Sequence, residues 1–492
     1  MLPLRIKLHC ASFSKFGTAA FATPVDAQFR EIVKDLTEGS IPRHIIEMAV
    51  PISVGMLVQT LYYLVDLYFV GALGDVALAG VSAAGNAMFL VIALTQILGV
   101  GIVALISHAV GRKDQPDANL IFNQSILVSA IFAVVTLAGG YGLAGSYLGA
   151  IASDHATVSA GKTYLFWFIP GMALQFAIVA MGSALRGTGI VKPTMIVQLA
   201  TVALNIVLAP VLIAGWGTGI ALGVAGAGLA STISVAAGVV MLWIYFKRTE
   251  KYVTLNKDLW HPQIPVWKRM LGIGFPAGGE FILMFFFMAV IYWTIRDFGS
   301  TAQAGFGVGT RIMQSIFLPA MAVAFAAPAV AGQNFGARSA DRVRDTFKWT
   351  ILMTVSVMVA LTLVCQWQPE WFVAPFSDDP EVISIAATFL RIISLNFVPS
   401  AVVFTCSGMF QALGNTWPAL LSSGTRLITF AVPAVWLSGR NGFQIEHIWY
   451  LSATTVAAQA LLSFCLIRRE FRLRLQFSEI GHSTQVSGGT KL

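Results

Sequence analysis

Apolar stretches of about 20 residues recur along the whole chain, separated by short polar links. A helix rises about 1.5 Å per residue, so each stretch is long enough to cross roughly 30 Å of hydrocarbon. Inside lipid a segment must satisfy its own backbone polar groups, and helices do this where isolated strands do not. The pattern therefore predicts helices near residues 45–68, 84–108, 120–142, 160–185, 193–214, 222–246, 269–296, 305–331, 346–366, 383–411, 418–438 and 446–467. The expected fold class is an all-α integral membrane protein with twelve transmembrane helices.

The pattern also repeats itself. At a constant offset of 225 residues Pro51 matches Pro276, Gly74 matches Gly299, and Ala79-Gly80 matches Ala304-Gly305. The same offset carries Met88 onto Met313, Gly111 onto Gly336, Phe122 onto Phe347, Gly189 onto Gly414 and Pro193 onto Pro418. Each copy holds six spans, an even number, so both copies share one orientation. Two six-helix lobes related by a pseudo-twofold axis along the membrane normal are expected, with a central cleft between them. The expected organisation is a cytoplasmic extension 1–40, an N-lobe 41–246, a cytoplasmic linker 247–268, a C-lobe 269–467 and a basic cytoplasmic tail 468–492. The linker is basic and carries Pro262 and Pro265, as a connector should.

Composition adds to this picture mainly through charge. Only 11% of residues are charged, against about a quarter in soluble domains. The net charge of +8 is distributed by topology: 25 Lys and Arg fall in links on one side and three, Lys162, Arg296 and Arg440, on the other. Positive-inside bias then puts both termini in the cytoplasm of a multi-pass protein of the bacterial inner (plasma) membrane. Nucleic acid is not an expected partner; the lipid bilayer is. Cys10, Cys365, Cys406 and Cys465 show no paired spacing, so neither a disulfide framework nor a zinc site is expected. Arg5, Lys7 and Lys15 with Ser12, Ser14 and no acid before Asp26 faintly resemble a targeting peptide, but a plain cytoplasmic extension is the favoured reading. Residues 29–44 read as amphipathic and suited to the inner membrane surface.

Polar residues inside spans face protein or a water-filled cavity, because lipid does not tolerate them. Gln59, Tyr63 and Asp66 share one face of the first span, with Tyr62 beside them. Asp66 is the only carboxylate well inside a span of the first half. It reads as a proton-titratable group, with a plain hydrogen-bond anchor as the alternative. The fifth span repeats the arrangement with Gln198, Thr201 and Asn205. In the second half Glu280 and Arg426 lie at matched depth, and opposite charge predicts a buried pair. Arg311 and Arg391 lie nearer the outer side, and three arginines in one lobe keep an anionic substrate open. Pro51 lies in the first span about four turns before Asp66 and is a candidate for helix bending. Phe89, Phe176, Phe285, Phe286 and Phe287 are candidate cavity aromatics among which the sequence does not select.

Together these residues resemble the multidrug and toxic compound extrusion family, over roughly residues 40–470. The resemblance rests on Pro51 to Asp66 with Gly71 and Gly74, and on the run Gly332-Gln333-Asn334-Phe335-Gly336-Ala337-Arg338. It rests also on Leu185-Arg186-Gly187 through Lys192-Pro193 to Asn205, and on its echo Phe410-Gln411-Ala412-Leu413-Gly414 to Pro418. The DinF-like prokaryotic branch is the nearest pattern. What the resemblance implies is a coupling-ion or proton site at Asp66, with Asn205 in its polar cluster and Pro51 as the bending point. That branch often carries a second aspartate where this chain has Ala209, which favours proton over sodium, although the family uses both. The second-lobe carboxylates of the NorM-like branch are not matched, since Glu280 lies a turn early.

The function this implies is secondary active efflux of a small amphipathic organic cation in antiport with protons or sodium, by a monomer without cofactors. The alternative is a flippase for a lipid-linked precursor or other anionic substrate in the same superfamily. Gly111-Arg112-Lys113 occupies the loop of a major-facilitator signature, but His108 stands where that motif needs aspartate. The chain has no HExxH, nucleophile elbow or P-loop, so an enzyme or a cis-acting ATPase is not expected.

Overall fold

A computed structural model describes residues 34–151, 154–376 and 379–477; the side chains of Tyr63, Leu64, Asp66, Leu67, Ser300 and Phe376 lie outside that description. Among the described residues twelve helices are long and apolar enough to cross a membrane. The N-lobe comprises α1 (Ile41–Gly71), α2 (Asp75–Gly111), α3 (Gln115–Ile151), α4 (His155–Gly187), α5 (Lys192–Ile213) and α6 (Val224–Arg248). The C-lobe comprises α7 (Ile264–Ile295), α8 (Gly299–Gly336), α9 (Ala340–Trp367), α10 (Pro380–Ala412), α11 (Trp417–Ser438) and α12 (Ile445–Arg474).

The 225-residue repeat extends to backbone detail. Proline opens both α5 and α11, where its missing N–H falls among the unbonded donors of the first turn. Asp154 and Asp379, one repeat apart, cap α4 and α10 by accepting from the Thr157 N–H at 2.8 Å and the Glu381 N–H at 2.9 Å. Lys113 (φ 59°) and Arg338 (φ 58°) follow α2 and α8 in the left-handed region. Each closes a Schellman cap: Lys113 N–H bonds to the Val110 carbonyl at 2.9 Å, and Arg338 N–H to the Phe335 carbonyl at 3.0 Å. Holding a non-glycine residue there costs on the order of 1 kcal/mol. Two such residues at the same place in both copies mark one architecture, used twice.

Some boundaries differ from those the hydropathy pattern predicts. The link before the second span is shorter than expected, because Asp75–Gly85 is already helical and joins Ala87–Gly111 at Asn86. The tenth span is broken by a 3₁₀ turn at Ser394–Asn396. Residues 34–39 are not a surface helix. Leu36 is fully buried, and its backbone is read by the second lobe, for a reason the inter-lobe contact makes plain.

The lobes meet where backbone approaches backbone. A Cβ at Gly111 would lie 1.9 Å from the Gln333 carbonyl oxygen, and one at Gly336 would lie 2.2 Å from the His108 carbonyl oxygen. Residues 108 and 333 are themselves equivalent, so these are one contact seen from both sides, as at a twofold interface. Ser107 faces Gly332, its own equivalent, so the axis runs between them. Away from the axis α7 crosses α2 closely, with a Cβ at Gly274 falling 1.7 Å from the Ile97 carbonyl oxygen. On the other side Ile45, Met48 and Ala49 of α1 pack on Ala326, Ala329 and Val330 of α8. All these contacts lie in the helix halves that adjoin the basic links.

Side chains of the Gly332–Arg338 run fasten this contact. Gln333 donates to the Gly187 carbonyl of the N-lobe at 3.1 Å and accepts from the Leu36 N–H at 3.0 Å. Asn334 donates to the Leu36 carbonyl at 3.1 Å and accepts from Arg342 Nε at 2.7 Å. His108 bonds across the axis to the Ala412 carbonyl at 2.6 Å. Residues 34–39 are therefore a strap laid over the junction, which is why they are not amphipathic helix.

The linker is also fastened, to the N-lobe. Asn119, Asn123 and Gln124 of α3 bond to its backbone much as a neighbouring strand would. Asn123 accepts from Asn256 N–H at 2.9 Å and donates to the Thr254 carbonyl at 2.8 Å. Gln124 accepts from Gln263 N–H at 2.9 Å and donates to the Leu259 and His261 carbonyls at 2.6 and 2.8 Å.

Because the lobes touch through carbonyl oxygens that cannot rotate away, Gly111→Ala and Gly336→Ala should each destabilise the protein by about 1–3 kcal/mol. Gly142→Ala, at a helical glycine with nothing within 4 Å, should be neutral or slightly stabilising. Thermal unfolding of the purified variants checks this; equal midpoints for Gly111→Ala and Gly142→Ala would remove the axial contact from its central role.

Candidate functional site

The two polar stripes of the N-lobe meet. Gln198 of α5 donates from Nε2 to Gln59 Oε1 of α1 at 2.7 Å. Gly55, one turn before Gln59, makes the approach possible, since a Cβ there would lie 2.6 Å from Gln198 Oε1. Gln59, Gln198 and Thr201 line a cavity of about 250 Å³ with Tyr62, Gln175 and Ser234. Tyr62 donates to Ser231 of α6 at 2.5 Å, holding α1 to that helix. The Thr201 hydroxyl bonds back to the Gln198 carbonyl within α5 at 2.8 Å, so its hydrogen is spent locally.

Asn205 lies one turn further along α5 and is fully buried, and neither of its amide atoms has a protein partner. A buried amide in that state costs about 1–3 kcal/mol per unmet group. Asn205 is thus a buried polar side chain with unmet hydrogen-bonding capacity among the described residues. Ala209 beyond it is fully buried. The expected roles of Tyr63 and Asp66 fall on side chains outside the described residues. Pro51 is inside α1 and borders a second cavity, which also reaches Gln198.

In the C-lobe the expected Glu280–Arg426 pair does not form. Glu280 accepts from the Ser407 hydroxyl at 3.0 Å and the Ser423 hydroxyl at 3.2 Å, and Ser423 accepts from Gln459 Nε2 at 3.2 Å. Arg426 instead lies over the Phe287 ring, 4.2 Å from its centroid, with Nε lacking a partner. Matched depth did not mean matched direction: Glu280 turns toward α10 and α11, and Arg426 turns along α7. The guanidinium is held by ring quadrupole and packing. Arg391 lies 3.5 Å from Glu370, and Arg311 is exposed, so the three C-lobe arginines do not converge.

Ser407, Ser423 and Gln459 were not singled out by sequence reasoning, yet the repeat contains the signal. The offset maps Gly55 to Glu280, Gln198 to Ser423 and Ser234 to Gln459. Each lobe thus carries a polar cluster at the same place, with the large and small partners exchanged. Of the candidate aromatics, Phe176 is core, packed edge-on against Phe132, and Phe89, Phe285 and Phe286 are exposed.

A duplicated twelve-helix bundle, with polar clusters inside each lobe and lobes joined at one end, is the architecture of an integral membrane transporter. Comparison with known proteins agrees. The MatE family model matches residues 51–211 and again 276–437. These two matches cover more than half of the chain, which belongs to the MatE family of multidrug and toxic compound extrusion transporters and is not an enzyme. The chain is 27% identical over 373 residues to the multidrug export protein MepA of Staphylococcus aureus, covering 75% of this chain and 80% of that one. It is 26% identical over 459 residues to the MepA protein of Staphylococcus saprophyticus, covering 90% and 97%. Among solved structures, an outward-facing multidrug resistance MATE family transporter of the MOP superfamily superposes with a TM-score of 0.83 at 23% identity, covering 90% of this chain and 98% of that one. A MATE structure in complex with MaL6 does so with a TM-score of 0.82 at 22% identity, covering 90% and 99%. At these identities the structures speak for the fold.

A double-mutant cycle separates the two C-lobe arrangements. Glu280→Gln with Arg426→Gln should show a coupling below about 0.5 kcal/mol, whereas Glu280→Gln with Ser407→Ala should show about 1 kcal/mol or more. A charge swap, Glu280→Arg with Arg426→Glu, should not restore folded yield. Recovery by the swap would reinstate the ion pair.

Proposed function

We propose that the protein is a secondary active multidrug exporter that moves amphipathic organic cations in antiport with protons through alternating access of its two lobes. The supporting observation is the N-lobe cavity, lined by the hydrogen-bonded Gln59–Gln198 pair, with Asn205 two turns further along α5 buried and unpartnered among the described residues. Asp66 lies two turns beyond Gln59 on the same face of α1 by its spacing, and it supplies the charge the cluster otherwise lacks. The multidrug export function of the MepA relatives supports the same reading. Asp66 is the coupling group and Asn205 its neutral partner; with Ala209 unable to ligate, a proton suits the site better than sodium. Pro51, which removes a backbone hydrogen bond inside α1, lets that helix bend as the site loads.

On this reading the ends adjoining the basic links are cytoplasmic, both termini lie there, and the lobes closed at that face describe an outward-facing state. The protein works as a monomer in a bacterial plasma membrane. The flippase alternative drew its weight from three C-lobe arginines, and their dispersal removes that support.

In proteoliposomes, Asp66→Asn should reduce drug-dependent proton flux to the level of protein-free vesicles while leaving the purified protein's elution and thermal midpoint unchanged. Asn205→Ala should slow it without abolishing it. Wild-type flux in Asp66→Asn overturns the site assignment. Transport driven by a sodium gradient and insensitive to pH would overturn only the proton preference.

A further inference from the structure

The cavity that Pro51 borders has an arginine side chain, Arg186, on its wall. Its volume is about 300 Å³, and its wall is built mainly from the N-lobe, with Phe325, Pro328 and Gln411 of the C-lobe closing one side. Three of its lining pairs are repeat equivalents: Val100 with Phe325, Val103 with Pro328, and Arg186 with Gln411. The cavity therefore reaches the axis at that side. Most of the wall is apolar, and among the described residues no aspartate or glutamate lines it.

Arg186 is the exception to its surroundings. Its guanidinium stays charged in any protein environment and offers five N–H donors. Among the described residues it makes one protein hydrogen bond, from Nη2 to Ser183 Oγ at 3.2 Å, and forms no ion pair. Its Nε is buried without a partner. On the same wall the Thr194 hydroxyl is also buried without a partner. Two unmet donors and a fixed positive charge thus border one apolar chamber. A structural arginine at such a junction would be met by a carbonyl or a carboxylate, as Arg342 is by the Gly39 and Leu36 carbonyls.

We propose that Arg186 and Thr194 form a subsite for the carboxylate of an amphipathic organic anion or zwitterion, with the apolar wall taking its ring system. Arg presents N–H groups in the fork that a carboxylate matches, and desolvation inside the cavity strengthens that bond. The subsite thus distinguishes amphipathic molecules that carry an acid group from those that do not. As a statement about transport this rests on the exporter reading above; as a statement about binding it does not.

The test is equilibrium binding of 2-naphthoate to the purified full-length protein in phosphatidylcholine nanodiscs, with 2-naphthamide as the uncharged isostere. Wild type should bind naphthoate saturably and at least about tenfold more tightly than naphthamide. Arg186→Gln should abolish that preference, and Arg186→Lys should keep part of it. Gln411→Glu, which adds a resident carboxylate to the cavity wall, should exclude naphthoate while leaving the thermal midpoint unchanged or raised, so the inference survives a misfolded Arg186 variant. Equal affinities for the acid and the amide in wild type, or unchanged naphthoate affinity in both Arg186→Gln and Gln411→Glu, would overturn it. Loss of naphthoate binding when phosphatidylglycerol replaces phosphatidylcholine would give the subsite to a lipid headgroup and overturn the substrate assignment. Drug efflux by the same preparations is measured separately, so a failed subsite and a failed exporter reading give different results.

Discussion

The approach of two helix ends to carbonyl distance on the axis is the constraint the rest of the structure depends on. In lipid there is little hydrophobic force to press two lobes together, so close packing and hydrogen bonds must do it. Gly111 and Gly336 let α2 and α8 touch through backbone, and Gln333, Asn334 and His108 then reach groups that would otherwise be too far. The strap at residues 34–39 uses the same place, because its Leu36 backbone is the acceptor and donor that Asn334 and Gln333 need. One end of the cleft is closed by this arrangement. The C-lobe has a core of its own around Phe306, Phe389 and Trp449, whereas Val266 and Met270 at the start of α7 belong to the N-lobe core.

Duplication supplied one scaffold and left the polar interiors free to diverge. Where the N-lobe has Gly55 beside Gln198, the C-lobe has Glu280 beside Ser423, so a similar space is filled from opposite helices. The exchange matters because it changes the charge and not only the shape. A carboxylate surrounded by hydroxyls is stabilised by donors that can rotate, whereas an amide pair fixes its own geometry. The linker is held to α3 by side-chain amides, and Gln124 reaches past it to accept from Trp267 Nε1 at the start of α7.

Legibility of the site followed the kind of evidence each residue offered. Gln59 and Gln198 were legible because polar side chains at helical spacing in an apolar span must face inward, and two inward stripes in one lobe meet. Glu280 was legible as a buried acid but not as to its partner. Depth along a helix is a one-dimensional coordinate, and the turn toward Ser407 or toward Arg426 is set by rotation about the helix axis and by the rotamer. Arg186 was read as one more positive charge in an inner link and as part of the Leu185-Arg186-Gly187 run that carries the family resemblance. Its position at the end of α4, facing a chamber that reaches the axis, depends on how two lobes pack, which no local pattern encodes.

The sequence by itself determined the element type, the number of spans, the duplication and the direction in which both copies run. Those follow from local physics: unmet backbone groups are intolerable in lipid, and an even number of crossings returns the chain to its starting side. It also carried the cap positions, since Asp154 and Asp379 or Lys113 and Arg338 act within a few residues of themselves. Only the tertiary structure decided which faces meet across the axis, that residues 34–39 serve as a strap, and which buried polar groups are satisfied. Those outcomes depend on contacts between residues hundreds of positions apart, such as Leu36 with Asn334, whose energies appear only once both lobes are in place.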